Sequence, residues 1–413
     1  MRITVCFVRL LLVLCLAVPA LAQDVVGREI TPWQPGTLEI HQISSGRGNA
    51  GLYILPDGTT LLVDAGQNAR QSDWNTPDRP DDARPAGERF VRYIRHALRH
   101  EPQPSLDYVL LTHFHSDHMG QVSDDSPMSR TGAYRLTGLT YIGEQFPIGK
   151  LLDRGWPDYK FPAPVESATM KNYLAFVGWH SEKSGMKIER FAPGSNGQVA
   201  LVRAPKKYPD FEFRNVGANG EVWTGVGTVT RSHFPDLATV PRADWPTENM
   251  CSTSFRLSYG KFDYFNGADI PGIPSDGFPL WHDVETPVAK AVGTVEAAIL
   301  NHHGYVDTMN AFFVATLRPR VWTISVWDSP HPTIGAWNRI QSTRLYPGPR
   351  DVFATDSHPA NRISIPGIDK IAAQTGHVVL RVSPGGGEFR VVLVDHTSES
   401  HQVKQVFGPY PSR

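Results

Sequence analysis

The chain has 413 residues, of which 40% are hydrophobic and 20% are charged, and its formal net charge is −1 at pH 7. This composition is ordinary for a globular protein, and the balanced charge gives no indication of the basic surface expected of a nucleic-acid-binding chain. The cysteines are Cys6, Cys15 and Cys251. Because the first two lie in an N-terminal segment that we expect to be removed, no internal disulfide remains. The fold must therefore depend on a hydrophobic core, for which the length is ample.

Residues 1–22 have the pattern of a secretory signal peptide. Arg2 and Arg9 precede or open an apolar run from Leu10 to Ala22, which ends in the small-x-small pattern Ala20-Leu21-Ala22. The run is too short to span a bilayer as a stable helix, and its end predicts cleavage after Ala22. An uncleaved anchor is the alternative. We therefore expect a periplasmic or extracellular protein with no transmembrane segment after cleavage.

The first predicted elements are strands. Residues 23–37 are polar and contain prolines, so we interpret them as a lead-in segment. Leu38 to Ile43 alternates as a half-buried strand does. Leu52 to Leu55 and Thr60 to Val63 flank the turn Pro56-Asp57-Gly58, which predicts a hairpin. The second of these strands ends at Asp64-Ala65-Gly66.

The next elements bring the chain to a group of histidines. Ala86 to His100 has the apolar spacing of an amphipathic helix, with His96 and His100 off its apolar stripe and expected at the surface. Leu106 to Leu111 is short, apolar and β-prone, as a buried strand is. It leads directly into the run Thr112 to Gly120.

That run contains the pattern H-x-H-x-D-H, formed by His113, His115, Asp117 and His118. A strand end holds the backbone firmly while the following side chains converge. Neutral imidazole and carboxylate are ligands for zinc, manganese and iron. The pattern predicts a metal site, the alternative being a surface loop that is rich in histidine.

Residues 121–246 give the weakest signals. Leu139 to Ile142 and Val199 to Val202 are possible strands, and Thr169 to Val177 is a possible helix. We interpret the stretch as a long insertion that shapes a substrate cleft. Its Trp, Tyr and Phe side chains could form a wall of that cleft or belong to the core, and the sequence leaves both readings open.

In the C-terminal part, predicted strands are again followed directly by polar residues that could bind metal. A hairpin from Glu248 to Asn266 ends at Gly267-Ala268-Asp269, and the strand Val295 to Leu300 delivers Asn301-His302-His303-Gly304. The strand Val321 to Trp327 is followed by Pro330-His331-Pro332. The remaining predicted elements are a helix at Trp337 to Leu345 and strands at Asp351 to Thr355, Val378 to Val382 and Phe389 to Val394.

The order of these motifs resembles the ComEC-type branch of the metallo-β-lactamase superfamily. The resemblance covers roughly residues 38–395, and the branch includes free-standing secreted relatives such as phosphorylcholine esterase-like enzymes. It implies an α/β fold of the αββα sandwich type over residues 38–400, with a C-terminal tail at 401–413. The motifs that carry it are Asp64-Ala65-Gly66, the H-x-H-x-D-H run, Asn249-x-x-Ser252, Gly267-Ala268-Asp269, His302-His303-Gly304 and His331-Pro332.

The resemblance also implies a ligand set for two divalent metal ions, most simply zinc, with manganese or iron compatible. His113 and His115 would hold one ion, and Asp269 would bridge both. Asp117, His118 and either His302 or His303, with His303 preferred, would hold the other. Asp64 would orient a histidine by hydrogen bonding, although it could instead cap its own turn. Asn249 stands where the superfamily usually has a further histidine, and one residue is inserted in Gly267-Ala268-Asp269.

The implied activity is hydrolysis by a metal-activated hydroxide. Asp117 would orient that hydroxide and accept its proton, His302 would donate to the leaving oxygen, and His331 would contact substrate or cap its own turn. We expect a small-molecule or cell-envelope ester as substrate, most simply a phosphodiester. A β-lactam or lactone hydrolase, or a non-catalytic binding module on the same scaffold, are the alternatives.

Overall fold

The computed structural model of the protein describes residues 23–68 and 72–413. The predicted signal peptide therefore lies outside the described residues. The strands are β1 Leu38–Gln42, β2 Ala50–Ile54, β3 Thr60–Ala65, β4 Leu106–Leu111, β5 Ile148–Asp153, β6 Lys187–Arg190, β7 Phe211–Ala218, β8 Glu221–Trp223, β9 Thr230–Ser232, β10 Ser254–Tyr259, β11 Phe262–Asn266, β12 Ala297–Ile299, β13 Val321–Ile324, β14 Asp351–Ala354, β15 His377–Val382, β16 Glu388–Val394 and β17 Val403–Pro411. The α-helices are α1 Ala86–Ala97, α2 Ser116–Met119, α3 Gly138–Gln145, α4 Ala168–Trp179, α5 Glu285–Val292, α6 Ala311–Leu317, α7 Ile334–Gln341, α8 Pro359–Ser364 and α9 Asp369–Ala372.

The strands form two mixed sheets in the described part of the chain. The first has nine strands in the order β17-β16-β15-β1-β2-β3-β4-β5-β6, and the second has eight in the order β14-β13-β12-β11-β10-β7-β8-β9. Strands β3 to β6 are parallel neighbours in the first sheet, and β11 to β14 are parallel neighbours in the second. Parallel strands end at the same edge, so each sheet has one edge at which successive loops collect.

Three hydrophobic cores separate four layers. The central core joins the inner faces of the two sheets, for example Leu61 and Leu110 of the first with Phe255 and Tyr264 of the second. A second core packs α1, α3 and α4 on the outer face of the first sheet. A third core packs α5, α6 and α7 on the outer face of the second sheet. This arrangement is the expected αββα sandwich, and the buried apolar area of three cores provides most of its stability.

Two predicted strands of the region 121–246 are wrong. Leu139 to Ile142 lies in helix α3, where Thr137 and Thr140 form a reciprocal N-terminal cap. A short apolar run does not distinguish a buried strand from a buried helix. Val199 to Val202 is irregular and pairs with none of the described strands. Side chains bond to its backbone instead: Val202 N donates to the Thr59 hydroxyl at 2.9 Å.

The region 121–246 is also more than a peripheral insertion. It supplies β5 and β6 to the first sheet and β7, β8 and β9 to the second. The expected tail at 401–413 instead contains β17, which pairs antiparallel with β16. The sandwich therefore extends to Pro411. Among the described residues, no helix combines the length and apolar character that crossing a membrane requires.

Candidate metal centre

Two groups of imidazole and carboxylate side chains converge at one place between the sheets. In the first group, ligand atoms of His113, His115 and Asp269 lie within 4.8 Å of one another. In the second group, Asp117, His118, Asp269 and His303 do the same. Asp269 belongs to both groups. The division is the one that the sequence predicted, with His303 rather than His302 in the second group.

The topology explains why these side chains meet. His113 and His115 follow the end of β4. Asp117 and His118 come next, in the short helix α2. Asp269 follows β11, and His303 follows β12, which is the parallel neighbour of β11. The two sheets thus deliver ligands from the carboxyl ends of their strands to a common edge. Thr253 N donates to Thr112 O at 3.0 Å and joins the sheets there.

The spacing within the second group suits a small divalent cation. Asp117 Oδ2 lies 3.4 Å from His118 Nε2 and 3.2 Å from His303 Nε2, and Asp269 Oδ2 lies 3.2 Å from His118 Nε2 and 3.8 Å from His303 Nε2. Ligands about 2.0–2.1 Å from a tetrahedral zinc ion are separated by about 3.4 Å. The donor set therefore fits without rearrangement.

The first group has fewer donors. His113 Nε2 lies 3.1 Å from His115 Nδ1 and 3.6 Å from Asp269 Oδ2. His115 is exposed, whereas His113 and Asp269 are buried. An ion at this position would need another donor, such as water or substrate, to complete its coordination.

Hydrogen bonds on the far side of the rings aim the ligand nitrogens inward. Asp64 Oδ2 accepts from His118 Nδ1 at 2.8 Å and from the Thr112 hydroxyl at 2.9 Å. His303 Nδ1 donates to Ser325 O at 2.8 Å. Both Nε2 atoms therefore face the centre as lone pairs. His118 Nε2 is buried and has no hydrogen-bond partner, which is the condition expected of a metal-ligating nitrogen.

The charges of the centre depend on one another. Burial alone would raise the pKa of Asp269, but His118, His303, His113 and His302 outweigh burial and hold it well below its usual range. Asp117 behaves in the same way. Burial would lower the pKa of His118, but the carboxylates Asp269, Asp117 and Asp64 raise it well above its ordinary value. The site keeps two buried carboxylates ionised, so it is prepared for cations.

One family comparison covers the predicted metal run. Residues 45–124 match the family model described as the metallo-beta-lactamase superfamily. This range contains Asp64 and the whole H-x-H-x-D-H run, and the two-sheet architecture places them as described above. The matched segment is thus similar to this superfamily, and the described residues as a whole form an αββα sandwich. The matched range and the donor set together give a candidate site for divalent metal ions.

Solved structures show a weaker likeness to this chain. A mutant of the CmlA beta-hydroxylase is 13% identical with a TM-score of 0.35, and the match covers 70% of this chain but only 46% of that chain. A metal-dependent hydrolase from Parabacteroides distasonis is 12% identical with a TM-score of 0.35, covering 76% and 92%. Zn(2+)-bound PqqB from Methylobacterium extorquens is 12% identical with a TM-score of 0.33, covering 69% and 88%. Likeness at this level carries no information on activity, and no curated protein matches the chain.

The candidate metal centre contains several residues with left-handed backbone. Asp64, Ala268, His302 and His303 have φ angles of 60°, 48°, 44° and 57°. Non-glycine residues seldom adopt this conformation, and it is retained where the surrounding structure enforces it. The turn at Ala268 absorbs the residue inserted in Gly267-Ala268-Asp269, because Asn266 Oδ1 accepts from Ala268 N at 2.8 Å. Asp269 consequently reaches the centre despite the insertion.

His302 and Asn249 lie beside the first group. His302 Nδ1 donates to Asp307 at 2.8 Å, and its Nε2 lies 3.2 Å from Asn249 Nδ2 and 3.9 Å from Asp269 Oδ2. Burial would lower the pKa of His302, but Asp269 and Asp307 raise it to about 9. Asn249 Oδ1 is buried without a hydrogen-bond partner. Asp307 had no sequence signal, since it belongs to none of the recognised motifs.

His331 lies behind the ligands. It is 4% exposed, and its ring stacks on His303 with centroids 4.6 Å apart. Trp327 contacts both rings edge-on and directs its indole N–H toward His303 Nε2 at 3.3 Å. Burial and the neighbouring histidines lower the pKa of His331 well below its ordinary value. The contacts of His331 favour a packing role over the substrate contact that the sequence left open.

The aromatic side chains of 121–246 belong mainly to the core. Tyr134, Tyr159, Tyr173 and Phe176 are buried in the core beneath α3 and α4. The aromatic residue at the edge of the centre is instead Tyr305, which is 36% exposed and lies 5.2 Å from the His302 ring.

Substituting Asp64 by asparagine should weaken zinc binding at the second group by about 10- to 100-fold, as expected when a hydrogen-bonding partner of a metal ligand is removed. An amide cannot accept from His118 Nδ1, Thr112 N and the Thr112 hydroxyl with the strength of a carboxylate. Competition with a fluorescent chelator measures the change. Asp57→Asn is the matched control, because Asp57 accepts backbone N–H groups at the hairpin turn before Asp64. Unchanged zinc affinity in Asp64→Asn would show that Asp64 only caps its own turn.

Proposed function

We propose that this protein is a secreted metal-dependent hydrolase that cleaves a phosphodiester or a related ester, and that it belongs to the ComEC-type branch. The observation that carries the proposal is the position of Asp269 between two ligand groups. A carboxylate shared by two groups of imidazoles is the anionic bridge that a binuclear centre requires. The branch assignment is supported by Asn249-x-x-Ser252 and His302-His303-Gly304.

Each residue of the donor set can be assigned to one or both of two metal ions. His113, His115 and Asp269 would hold one ion, and Asp117, His118, His303 and Asp269 would hold the other. Two divalent ions at these positions would lower the pKa of a shared water to about 7 and polarise a substrate oxygen. The resemblance to the superfamily favours zinc, and the all His/Asp set is also compatible with manganese or iron.

The proton movements are assigned to two side chains at the accessible edge. The side chain of Asp117 is 12% exposed and orients the attacking water, whose proton it accepts. The oxygen of that water forms the new bond to phosphorus as the bond from phosphorus to the leaving oxygen breaks. His302, whose side chain is 20% exposed, donates the Nε2 proton to the leaving oxygen, while Asp307 holds its Nδ1. One water is consumed, and the two products carry its atoms.

A phosphoryl substrate agrees with the charge of the centre. Two divalent ions with only two buried carboxylate ligands would leave a net positive site, which favours the anionic phosphodiester over a neutral β-lactam or lactone carbonyl. The ring of Tyr305 at the edge offers a face for a cationic or sugar group on the leaving alcohol. With the signal pattern of residues 1–22, this suggests a small-molecule or cell-envelope ester outside the cytoplasm.

The substrate class predicts a rate order on one zinc-loaded preparation. We expect kcat/KM for bis-p-nitrophenyl phosphate or p-nitrophenyl phosphorylcholine to exceed that for nitrocefin by at least about tenfold, or roughly 1.4 kcal/mol of transition-state preference. Initial rates at several substrate concentrations measure it. Asp117→Asn is the inactive reference, and His180→Gln on the outer helical layer is the matched active control.

A tenfold preference for nitrocefin or a lactone over both phosphodiesters would refute the phosphodiesterase assignment while leaving the metal hydrolase intact. No turnover of phosphodiesters, lactones or β-lactams by zinc-loaded protein would instead favour a binding module that has kept the fold.

A further inference from the structure

A buried ion pair holds the peptide that lies between His113 and His115. Phe114 N donates to Glu248 Oε1 at 2.7 Å. Arg154 Nε donates to the same oxygen at 2.7 Å, and its Nη2 donates to Glu248 Oε2. Glu248 is 134 residues from Phe114 along the chain. A distant carboxylate thus provides the acceptor for a backbone N–H group inside the metal motif.

The guanidinium of Arg154 is fixed by several further contacts. Its side chain is 2% exposed, and Nη1 donates to Phe161 O at 2.8 Å and to Asn219 Oδ1 at 3.1 Å. Its guanidinium also lies 4.4 Å above the Phe114 ring. The pair therefore fixes Phe114 through both its backbone and its side chain. Burial would lower the pKa of Arg154, but Glu248 raises it.

This contact bears on the first ligand group and not on the second. His113 and His115 flank Phe114, so a rotation of either adjoining peptide would separate His113 Nε2 from His115 Nδ1, which now lie 3.1 Å apart. His118 is aimed by Asp64, and Asp117 and His118 lie within α2. The second group therefore keeps its geometry through independent contacts.

We propose that Glu248, clamped by Arg154, is a positioning residue that assembles the first metal site. The inference rests on the proposed binuclear function and deepens it. The first site has only three protein donors, and one of them is exposed. Because so few donors would hold the ion, its affinity depends on side chains that are already oriented before the ion binds. Glu248 immediately precedes Asn249, so the same short segment positions both residues beside the first group.

The test needs a variant that removes the hydrogen-bond acceptor without leaving a buried charge. Glu248→Gln leaves Arg154 uncompensated and is expected to destabilise the fold. The double variant Arg154→Met with Glu248→Leu replaces the pair by apolar side chains of similar volume, which folded proteins often tolerate, and leaves Phe114 N without its acceptor. The matched control is Glu39→Gln in a second buried ion pair at the β1–β15 contact, where Arg381 keeps Asp24 as a charge partner when Glu39 is neutralised.

The expected result is selective loss of one zinc ion. Competition with a chelator should show two zinc ions in the wild type and in Glu39→Gln, whereas the double variant should bind one ion with wild-type affinity and the other at least about tenfold more weakly. A second readout uses no metal. Hydrogen exchange of the Phe114 amide in the presence of a chelator should be at least about tenfold faster in the double variant, because its protecting acceptor is gone.

Four outcomes would overturn the inference. Equal weakening of both zinc ions would mean that the pair supports the fold in general. Two tightly bound ions in the double variant, or unchanged exchange of the Phe114 amide, would mean that Glu248 does not position the motif. A wild-type protein that binds no zinc would refute the proposed function together with the inference, whereas the other outcomes leave the proposed function intact.

Discussion

Replacing Asp269 with asparagine is expected to reduce bound zinc from two ions to at most one and kcat/KM by at least about a thousandfold. Asp269 Oδ2 lies 3.2 to 3.9 Å from Nε2 of four imidazoles, which are those of His113, His118, His302 and His303. A neutral amide cannot act as the anionic bridge between two cations. A thousandfold loss corresponds to about 4 kcal/mol of transition-state stabilisation.

The measurements for Asp269→Asn are zinc per chain by mass spectrometry after gel filtration, and kcat/KM for bis-p-nitrophenyl phosphate. Asp263→Asn is the matched control, because Asp263 lies on the same strand β11 and pairs with Arg256 at 2.6 Å away from the centre. It should keep both ions and its activity. Two tightly bound ions in Asp269→Asn would contradict the bridging role.

Acidification from pH 6.5 to 4.5 is expected to lower the free energy of unfolding by ~2 kcal/mol through His396, and His377 is expected to lower it further. Burial lowers the pKa of His396 to about 4, and burial together with nearby histidines lowers the pKa of His377 well below its ordinary value. Unfolded imidazole has a pKa near 6.5. Below that pH the unfolded chain binds protons that the folded chain does not, so stability falls by about 1.4 kcal/mol per pH unit for each group.

The two residues belong to a cluster of histidines outside the metal centre. Ser44 N donates to His377 Nδ1 at 3.0 Å, which requires an unprotonated nitrogen there, and His396 Nδ1 lies 3.0 Å from the Ser44 hydroxyl. Tyr93 packs on His377 with centroids 4.4 Å apart. The other titratable or charged groups of the cluster are Glu29, His41, Glu39, Arg79, His96, Arg99, Asp356, Arg381, Asp395, Glu399, His401 and Lys404.

Denaturant unfolding between pH 4.5 and 7.5 in the presence of a chelator measures this dependence. His377→Gln should reduce the slope of stability against pH by about 1.4 kcal/mol per unit below pH 6. Tyr93→Phe is the matched control, because it perturbs the same cluster without changing a group that titrates in this range. The same slope in the wild type and in His377→Gln would contradict the prediction. Because the chelator keeps every variant free of metal, titration of the metal ligands contributes equally to all of them.

Sequence patterns predicted the strands of the sandwich well where the pattern was local. Leu106 to Leu111 and Phe262 to Asn266 coincide with β4 and β11, and the helix expected from Ala86 is α1. Alternation and turn residues determine such elements within a few positions of the chain. The helix at Leu139 was missed because its cap and its packing against Phe176, rather than its apolar run, decide its conformation.

The surface assignment of His96 was wrong for a related reason. On α1 it lies away from the apolar stripe, but its ring stacks at 3.8 Å on His401. His401 follows β16 and precedes β17, a strand expected to be a tail. A residue's exposure depends on what the rest of the chain brings against it, and no periodicity within one helix contains that information.

The sequence by itself determined the chemical identity of the candidate centre. The spacing of His113, His115, Asp117 and His118 after a buried strand indicates metal ligands, because strand ends and ligand types are local properties. Only the tertiary structure decided which distant residues complete it. It brought Asp269 and His303, which only the resemblance had implied, to the run, and it placed Glu248 on the Phe114 amide and Asp307 on His302. All but the last of these contacts join residues more than a hundred positions apart, and packing of two sheets against each other, rather than any local preference, determines which side chains meet.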